Sequence, residues 1–179
     1  MIVGKKCYLT DVDPDSNETL RSWRNNPEIR QYFREHREIT RSMQKDWYEK
    51  RVHNNPNQYD FEIHDIETKK LIGHCGLYYV NWIARMAEFS IYVGDMDYRG
   101  KGIGSDALRT LIKYGFSQLN LNKIWCEVYS NNSALEIYRK VGFVDEGVLR
   151  QNHFKDGAYV DSYVLSMLRS EWTDGASKG

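Results

Sequence analysis

Arg99-Gly100-Lys101-Gly102-Ile103-Gly104-Ser105 is the stretch on which the fold turns. Ahead of it, Ala87-Glu88-Phe89-Ser90-Ile91-Tyr92-Val93 is rich in aromatic and β-branched residues and predicts a strand. Behind it, Ala107, Leu108, Leu111, Ile112 and Phe116 recur at helical spacing and predict a helix over 105–119. A strand, a glycine-rich turn and a helix N-terminus together make an anion site. Glycines let the backbone approach a phosphate, and the first N–H groups of a helix are unpaired and point outward. Two nucleotide loops are excluded by spacing. No Gly-x-x-x-x-Gly-Lys-Ser/Thr run exists, and Gly100, Gly102 and Gly104 follow G-x-G-x-G rather than G-x-G-x-x-G.

Upstream, Tyr59, Phe61 and Ile63 alternate with Asp60, Glu62 and His64, and a second strand over 70–80 returns through Asp65-Ile66-Glu67-Thr68. With the 87–93 strand these make an antiparallel meander. Gly73 and Gly76 fit there as bulges or close-approach points. Before them, a strand over 6–10 leads to three short helices. The first carries Leu20 and Trp23 and stops before Pro27, which disfavours helix in the residue ahead of it. The second starts at Pro27 with Ile29, Tyr32 and Phe33. Thr40 or Ser42 caps the third, with Met43, Trp47 and Val52 inward.

Downstream come a strand over 123–129 and a helix over 134–141, opened by Asn131-Asn132-Ser133 and closed by Gly142. Strands over 143–152 and 158–168 turn about Lys155-Asp156-Gly157. The fold class is α/β: a mixed, mostly antiparallel sheet with one parallel strand–helix–strand unit over 87–128, flanked by about four helices. Residues 1–172 form one domain, and 173–179 read as a flexible tail.

Lysine plus arginine equals aspartate plus glutamate, 25 of each, so the global basic excess of a nucleic-acid binder is missing. The three cysteines (Cys7, Cys75, Cys126) are far apart and read as reduced thiols. Neither they nor the five histidines fall at metal-ligand spacing. Met1 to Lys6 turns polar too early for a signal peptide, and no apolar run reaches membrane-spanning length. These features predict a soluble cytoplasmic protein with no metal, nucleic-acid or membrane partner.

Taken in order, Ala87-Glu88-Phe89, Tyr98 to Gly104, Asn131-Asn132-Ser133-Ala134, Tyr138-Arg139-Lys140-Val141-Gly142-Phe143 and Gly157-Ala158-Tyr159-Val160-Asp161 resemble the GNAT superfamily of acyl-CoA N-acyltransferases over residues 5–168. The nearest likeness is to the branch of ribosomal-protein N-terminal, spermidine and nucleotide-amino-sugar acetyltransferases. The resemblance implies acetyl-CoA as co-substrate, its pyrophosphate on Arg99, Gly100, Lys101, Gly102, Ile103, Gly104 and Ser105. It also implies that the 87–93 and 123–129 strands splay, with pantetheine along Ile91, Tyr92 and Val93. A backbone N–H near Tyr92 or Val93 would then face the thioester oxygen. A homodimer is a family-level expectation.

Tyr138 matches the family's general acid. A phenol with pKa ~10 stays protonated beside a thiol of ~8.5 and can donate as charge builds on sulfur. By periodicity alone it is a core tyrosine. Asn131 either caps the following helix or bonds the pantetheine amide. Glu88 is the candidate base for the acceptor ammonium, directly or through water; otherwise it is an exposed strand carboxylate or a partner for Arg85 or Arg99. His74 and His153 are fallback bases.

The run Trp23-Arg24-Asn25-Asn26-Pro27-Glu28-Ile29 resembles acetyltransferases of nucleotide-linked amino sugars. Trp23, Arg24, Tyr32 and Phe33 would give stacking faces and a phosphate-binding guanidinium. The leading function is acetyl transfer to a small amine, amino sugar or polyamine. A peptide N-terminal acetyltransferase and a non-catalytic acyl-CoA-binding domain stand as alternatives.

Overall fold

A computed structural model gives the structure over residues 1–173. Among these residues, eight strands form one sheet: β1 (Ile2–Val3), β2 (Cys7–Asp11), β3 (Tyr59–Asp65), β4 (Leu71–Asn81), β5 (Met86–Val93), β6 (Lys123–Tyr129), β7 (Val144–Lys155) and β8 (Ala158–Leu168). Their order is β1-β2-β3-β4-β5-β6-β8-β7. The β5–β6 pair is parallel and every other neighbour antiparallel, as the order of the predicted elements requires. The expected flexible tail lies outside the described residues beyond Thr173.

Helices α1 (Asn17–Asn25), α2 (Pro27–Arg30) and α3 (Arg41–Trp47) precede the meander. Helix α4 (Ile103–Ser117) crosses from β5 to β6, and α5 (Ala134–Val141) follows β6. The apolar face of α4 (Ala107, Leu108, Leu111, Ile112, Phe116) packs on Leu9, Ile63, Cys75, Leu77 and Ile124 to form the core. All three cysteines are free and buried, and burial pushes each thiol well above its ordinary range.

Local chemistry sets the boundaries. Asn26 closes α1 with its backbone N–H and caps α2 with its side chain, which accepts from Glu28 N–H at 3.0 Å. Pro27 then occupies the first helical position, where a missing N–H costs nothing. Gly142, at φ +118°, ends α5 with its N–H on Tyr138 and Arg139 carbonyls. Asp156 and Gly157 both adopt positive φ, the hairpin geometry anticipated for Asp-Gly.

Several boundaries and faces differ from expectation. Helix α4 starts two residues early because Gly102, at φ +79°, serves as its N-cap. Thr40, not Ser42, caps α3. The inward residue of α3 is Gln44, whose Nε2 donates to Asn17 Oδ1 of α1 at 3.4 Å, while Met43, Trp47 and Val52 are half-buried, because α3 lies over α1 and the cleft rather than the core. Strand β3 is covered on both faces. Asp60 and Glu62 are 6 % and 3 % exposed, since the N-terminal segments lie over the face opposite α4, and Glu62 accepts from Asp13 N–H at 3.0 Å. Strand β7 extends to Lys155, and no stretch of its first nine residues is covered.

Candidate active site

Strands β5 and β6 pair at only three places, Met86↔Lys123, Ala87↔Ile124 and Glu88↔Trp125. Beyond Glu88 they part, and Phe89 to Val93 on one side and Cys126 to Tyr129 on the other line a cleft of about 1180 Å³. Unpaired backbone on both walls leaves room and hydrogen-bonding groups for an extended ligand.

The loop 99–105 lies at one end of the cleft. Gly100 and Gly102 sit at φ +73° and +79°, and a Cβ on Gly100 would meet open space. Left-handed glycines leading into a helix turn successive N–H groups toward one point, an anion nest. Arg99 Nε donates to Val93 O at 3.2 Å, fixing the loop to the end of β5. Gly104 and Ser105 line the cleft. Ile103 is 4 % exposed, so only its backbone can serve a ligand, and the Lys101 ammonium lies over the Tyr98 ring. Lys6 was not foreseen. Its Nζ donates to Lys101 O at 2.8 Å, and Asp106 Oδ2 holds the Lys6 and Cys7 N–H groups at 2.7 and 3.2 Å. No sequence signal joins positions a hundred residues apart.

Midway along the cleft stands Tyr138, half-buried, its ring edge-on to Phe89 at 5.1 Å. Burial, and then the neighbouring Cys126, push its phenol well above the ordinary range, so it stays protonated. Asn131 does not cap the helix: the N-cap of α5 is Ser133, with no side-chain cap bond, and Asn132 Oδ1 accepts from Ala134 N–H at 2.9 Å just ahead of it. Asn132 also lines the cleft, whereas Asn131 is exposed.

Glu88 faces the cleft from the last paired position of β5. Its partner is neither Arg85 nor Arg99 but Arg34, which bonds Glu88 Oε1 at 2.7 Å and Glu127 Oε2 at 3.1 Å. Asn152 Nδ2 holds the other Glu127 oxygen at 2.6 Å. A guanidinium thus lies between two carboxylates at the mouth of the strand gap. Arg34, Glu127 and Asn152 were invisible to sequence reasoning because β6, β7 and the 31–40 segment converge only in the fold.

The opposite wall is built by α1, α2 and β4. Arg24, Tyr32 and Phe33 line the cleft. Trp23 does not: it packs against Gly94, where a Cβ would overlap its indole, and stands edge-on to Tyr92 at 6.5 Å. His74 is 5 % exposed, beside Tyr92 and Trp47, and is no surface residue. His153 stacks on Tyr129 at 4.2 Å.

The comparisons with known proteins agree with this geometry. The model of the acetyltransferase (GNAT) domain matches residues 7–144. A spermidine N(1)-acetyltransferase of Vibrio cholerae serotype O1 is 33 % identical over 149 residues, covering 83 % of this chain and 84 % of that one. The crystal structure of spermidine N-acetyltransferase from Vibrio cholerae in complex with CoA and spermine superposes with a TM-score of 0.86 at 30 % identity, over 93 % of this chain and 97 % of that one. A dodecameric structure of the Vibrio cholerae enzyme in an intermediate state gives 0.80 at 28 % identity, over 96 % and 99 %. With its parted parallel strands and its glycine loop at their end, the chain belongs to the GNAT acetyltransferase family.

Proposed function

We propose that this N-acetyltransferase moves the acetyl group of acetyl-CoA onto a primary amine of a small molecule by direct attack in a ternary complex. The observation that carries this is the parting of β5 from β6 after three pairs, with the nest of Gly100 and Gly102 at one end and Tyr138 and Glu88 on the walls. The nest and the first turn of α4 would hold the pyrophosphate, aided by Lys6. The backbone from Ile91 to Val93 would run beside pantetheine and supply an N–H to the thioester oxygen.

Glu88 would take a proton from the acceptor ammonium. The neutral amine then attacks the carbonyl carbon, the adduct gives its second nitrogen proton to solvent as the C–S bond breaks, and the Tyr138 hydroxyl gives its proton to the departing thiolate and is reprotonated from solvent. The guanidinium of Arg34 between Glu88 and Glu127 marks a place suited to a cation, which supports an ammonium as the group delivered there.

The experiment is calorimetric titration with acetyl-CoA, followed by thiol release over a panel of amines. Binding with release for at least one amine is expected; binding without release from any amine would leave a non-catalytic domain. We place the protein in the cytoplasm on the strength of its three buried, unpaired thiols, which suit a reducing compartment. No helix among the described residues is long and apolar enough to cross a membrane. Self-association is proposed along β7, a long uncovered edge carrying exposed Val144, Val148, Leu149 and Phe154.

A further inference from the structure

Among the described residues, two buried side-chain polar atoms have no hydrogen-bond partner, Arg24 Nε and His74 Nε2. Both side chains line the same cleft. An unsatisfied buried donor is costly, most of all on a charged group, and a native fold that keeps one invites a ligand to complete it.

The Arg24 guanidinium is stacked on Phe33, its Cζ 3.9 Å from the ring centroid. Stacking fixes the plane of the fork and leaves its N–H edge for an acceptor in that plane. The carboxylates of the cleft are already matched. Glu35 pairs with Arg37 at 2.7 Å, Asp46 with Lys50 at 3.3 Å, and Glu88 and Glu127 with Arg34. Asp60, beneath His74, accepts from Tyr78 Oη at 2.9 Å and Gln58 Nε2 at 2.7 Å. The His74 Nε2 stands 3.2 Å from Asp60 Oδ1 without bonding geometry. Among the described residues no ion pair joins Arg24 to any of these carboxylates. Phe33, beneath the guanidinium, stands edge-on to Tyr92 at 5.6 Å, which brings Arg24 to the Tyr92 end of the cleft.

Tyr92 stands opposite His74 in the β4–β5 register, four residues along one face of β5 from Glu88, ~13 Å at the usual strand rise. A small acceptor with its amine at Glu88 therefore extends a second group toward Arg24. We infer that this second group is an anion, a carboxylate or a phosphate, received by the Arg24 guanidinium. The acceptor is then an amine that also carries negative charge, and a polyamine would set a second ammonium against an unpaired guanidinium. This rests on the reading of the cleft as the acetyl-transfer site.

The test measures thiol release at saturating acetyl-CoA with spermidine, glucosamine, glucosamine 6-phosphate, UDP-glucosamine and 4-aminobutyrate. At least one phosphate- or carboxylate-bearing amine is expected to exceed spermidine and glucosamine tenfold in kcat/KM, and the leading arm identifies the anion. Arg24→Gln should raise KM for that amine at least tenfold with kcat within about threefold, and leave KM for spermidine unchanged or lower. Arg24→Lys should recover part of the loss, and it carries the test if the glutamine variant melts early. Spermidine as best substrate, with KM indifferent to both substitutions, would overturn the anion subsite while leaving acetyl transfer intact. Absence of release from every amine would instead end the acetyl-transfer reading. Calorimetry of the leading phosphate- or carboxylate-bearing amine of that panel into the CoA-bound protein then decides the subsite: binding weakened tenfold by Arg24→Gln upholds it, and equal binding to both proteins overturns it.

Discussion

At the scale of single residues, one substitution separates the acid role proposed for Tyr138 from a packing role. Phenylalanine removes a hydroxyl and almost no volume, so the ring contacts with Phe89 and Phe143 survive. If the hydroxyl acts only as the thiolate forms, Tyr138→Phe should lower kcat by roughly 10²–10⁴, with KM for acetyl-CoA little changed. A core tyrosine would lose melting temperature and keep its rate, so both are measured on one preparation. Glu88→Gln keeps shape and removes basicity. Turnover at pH 7 should drop, the ascending limb of the pH–rate profile should vanish, and coenzyme affinity should hold. An unchanged profile would leave Glu88 as no more than the counter-ion of Arg34.

At the scale of elements, the β5–loop–α4 unit was readable because its signals are consecutive. Glycines at 100, 102 and 104 follow an aromatic strand and precede an apolar stripe, and the backbone angles follow directly. Gly142 and Asp156-Gly157 were legible for the same reason, each marking a left-handed turn in place. The α3 face was misread because its inward residue meets the polar side chain of Asn17 on α1 rather than the apolar core, and Gln44 fills that place. The Arg34–Glu88–Glu127–Asn152 cluster and Lys6 were unreadable, since their partners come from different elements. For the loop, Gly102→Asp forces a side chain into φ +79° with its Cβ 3.2 Å from Lys6 Nζ. The added carboxylate would compete with the proposed pyrophosphate for Lys6. Calorimetry should show acetyl-CoA affinity at least tenfold weaker, about 1.4 kcal/mol; unchanged affinity in a folded variant would move the cradle elsewhere.

At the scale of the molecule, the antiparallel meander and the single parallel pair were legible because strand and helix patterns alternate along the chain, whereas the placing of β8 between β6 and β7 was not. The long bare edge of β7 was not, since exposure is a property of neighbours. A lysine there should interrupt edge-to-edge pairing. Val148→Lys, on a residue 48 % exposed, is expected to lower the assembly mass seen by light scattering without changing the melting temperature of the folded chain. A monomeric wild type would remove the proposed interface.

The three-rung contact between β5 and β6 has a mechanical consequence. It divides the sheet into a five-stranded leaf, β1 to β5, and a three-stranded leaf, β6, β8 and β7, joined at Met86–Glu88 and by the packing of α4 across the seam. Cooperative melting needs the two leaves to report on each other, and with so few rungs the empty protein should transmit that information poorly. Its calorimetric enthalpy should therefore exceed the van't Hoff value. Saturating CoA, bridging the seam, should raise the transition temperature by mass action and bring the two enthalpies together, so that the leaves melt as one. A single sharp transition in the empty protein, unaltered in shape by CoA, would mean that α4 alone already welds them.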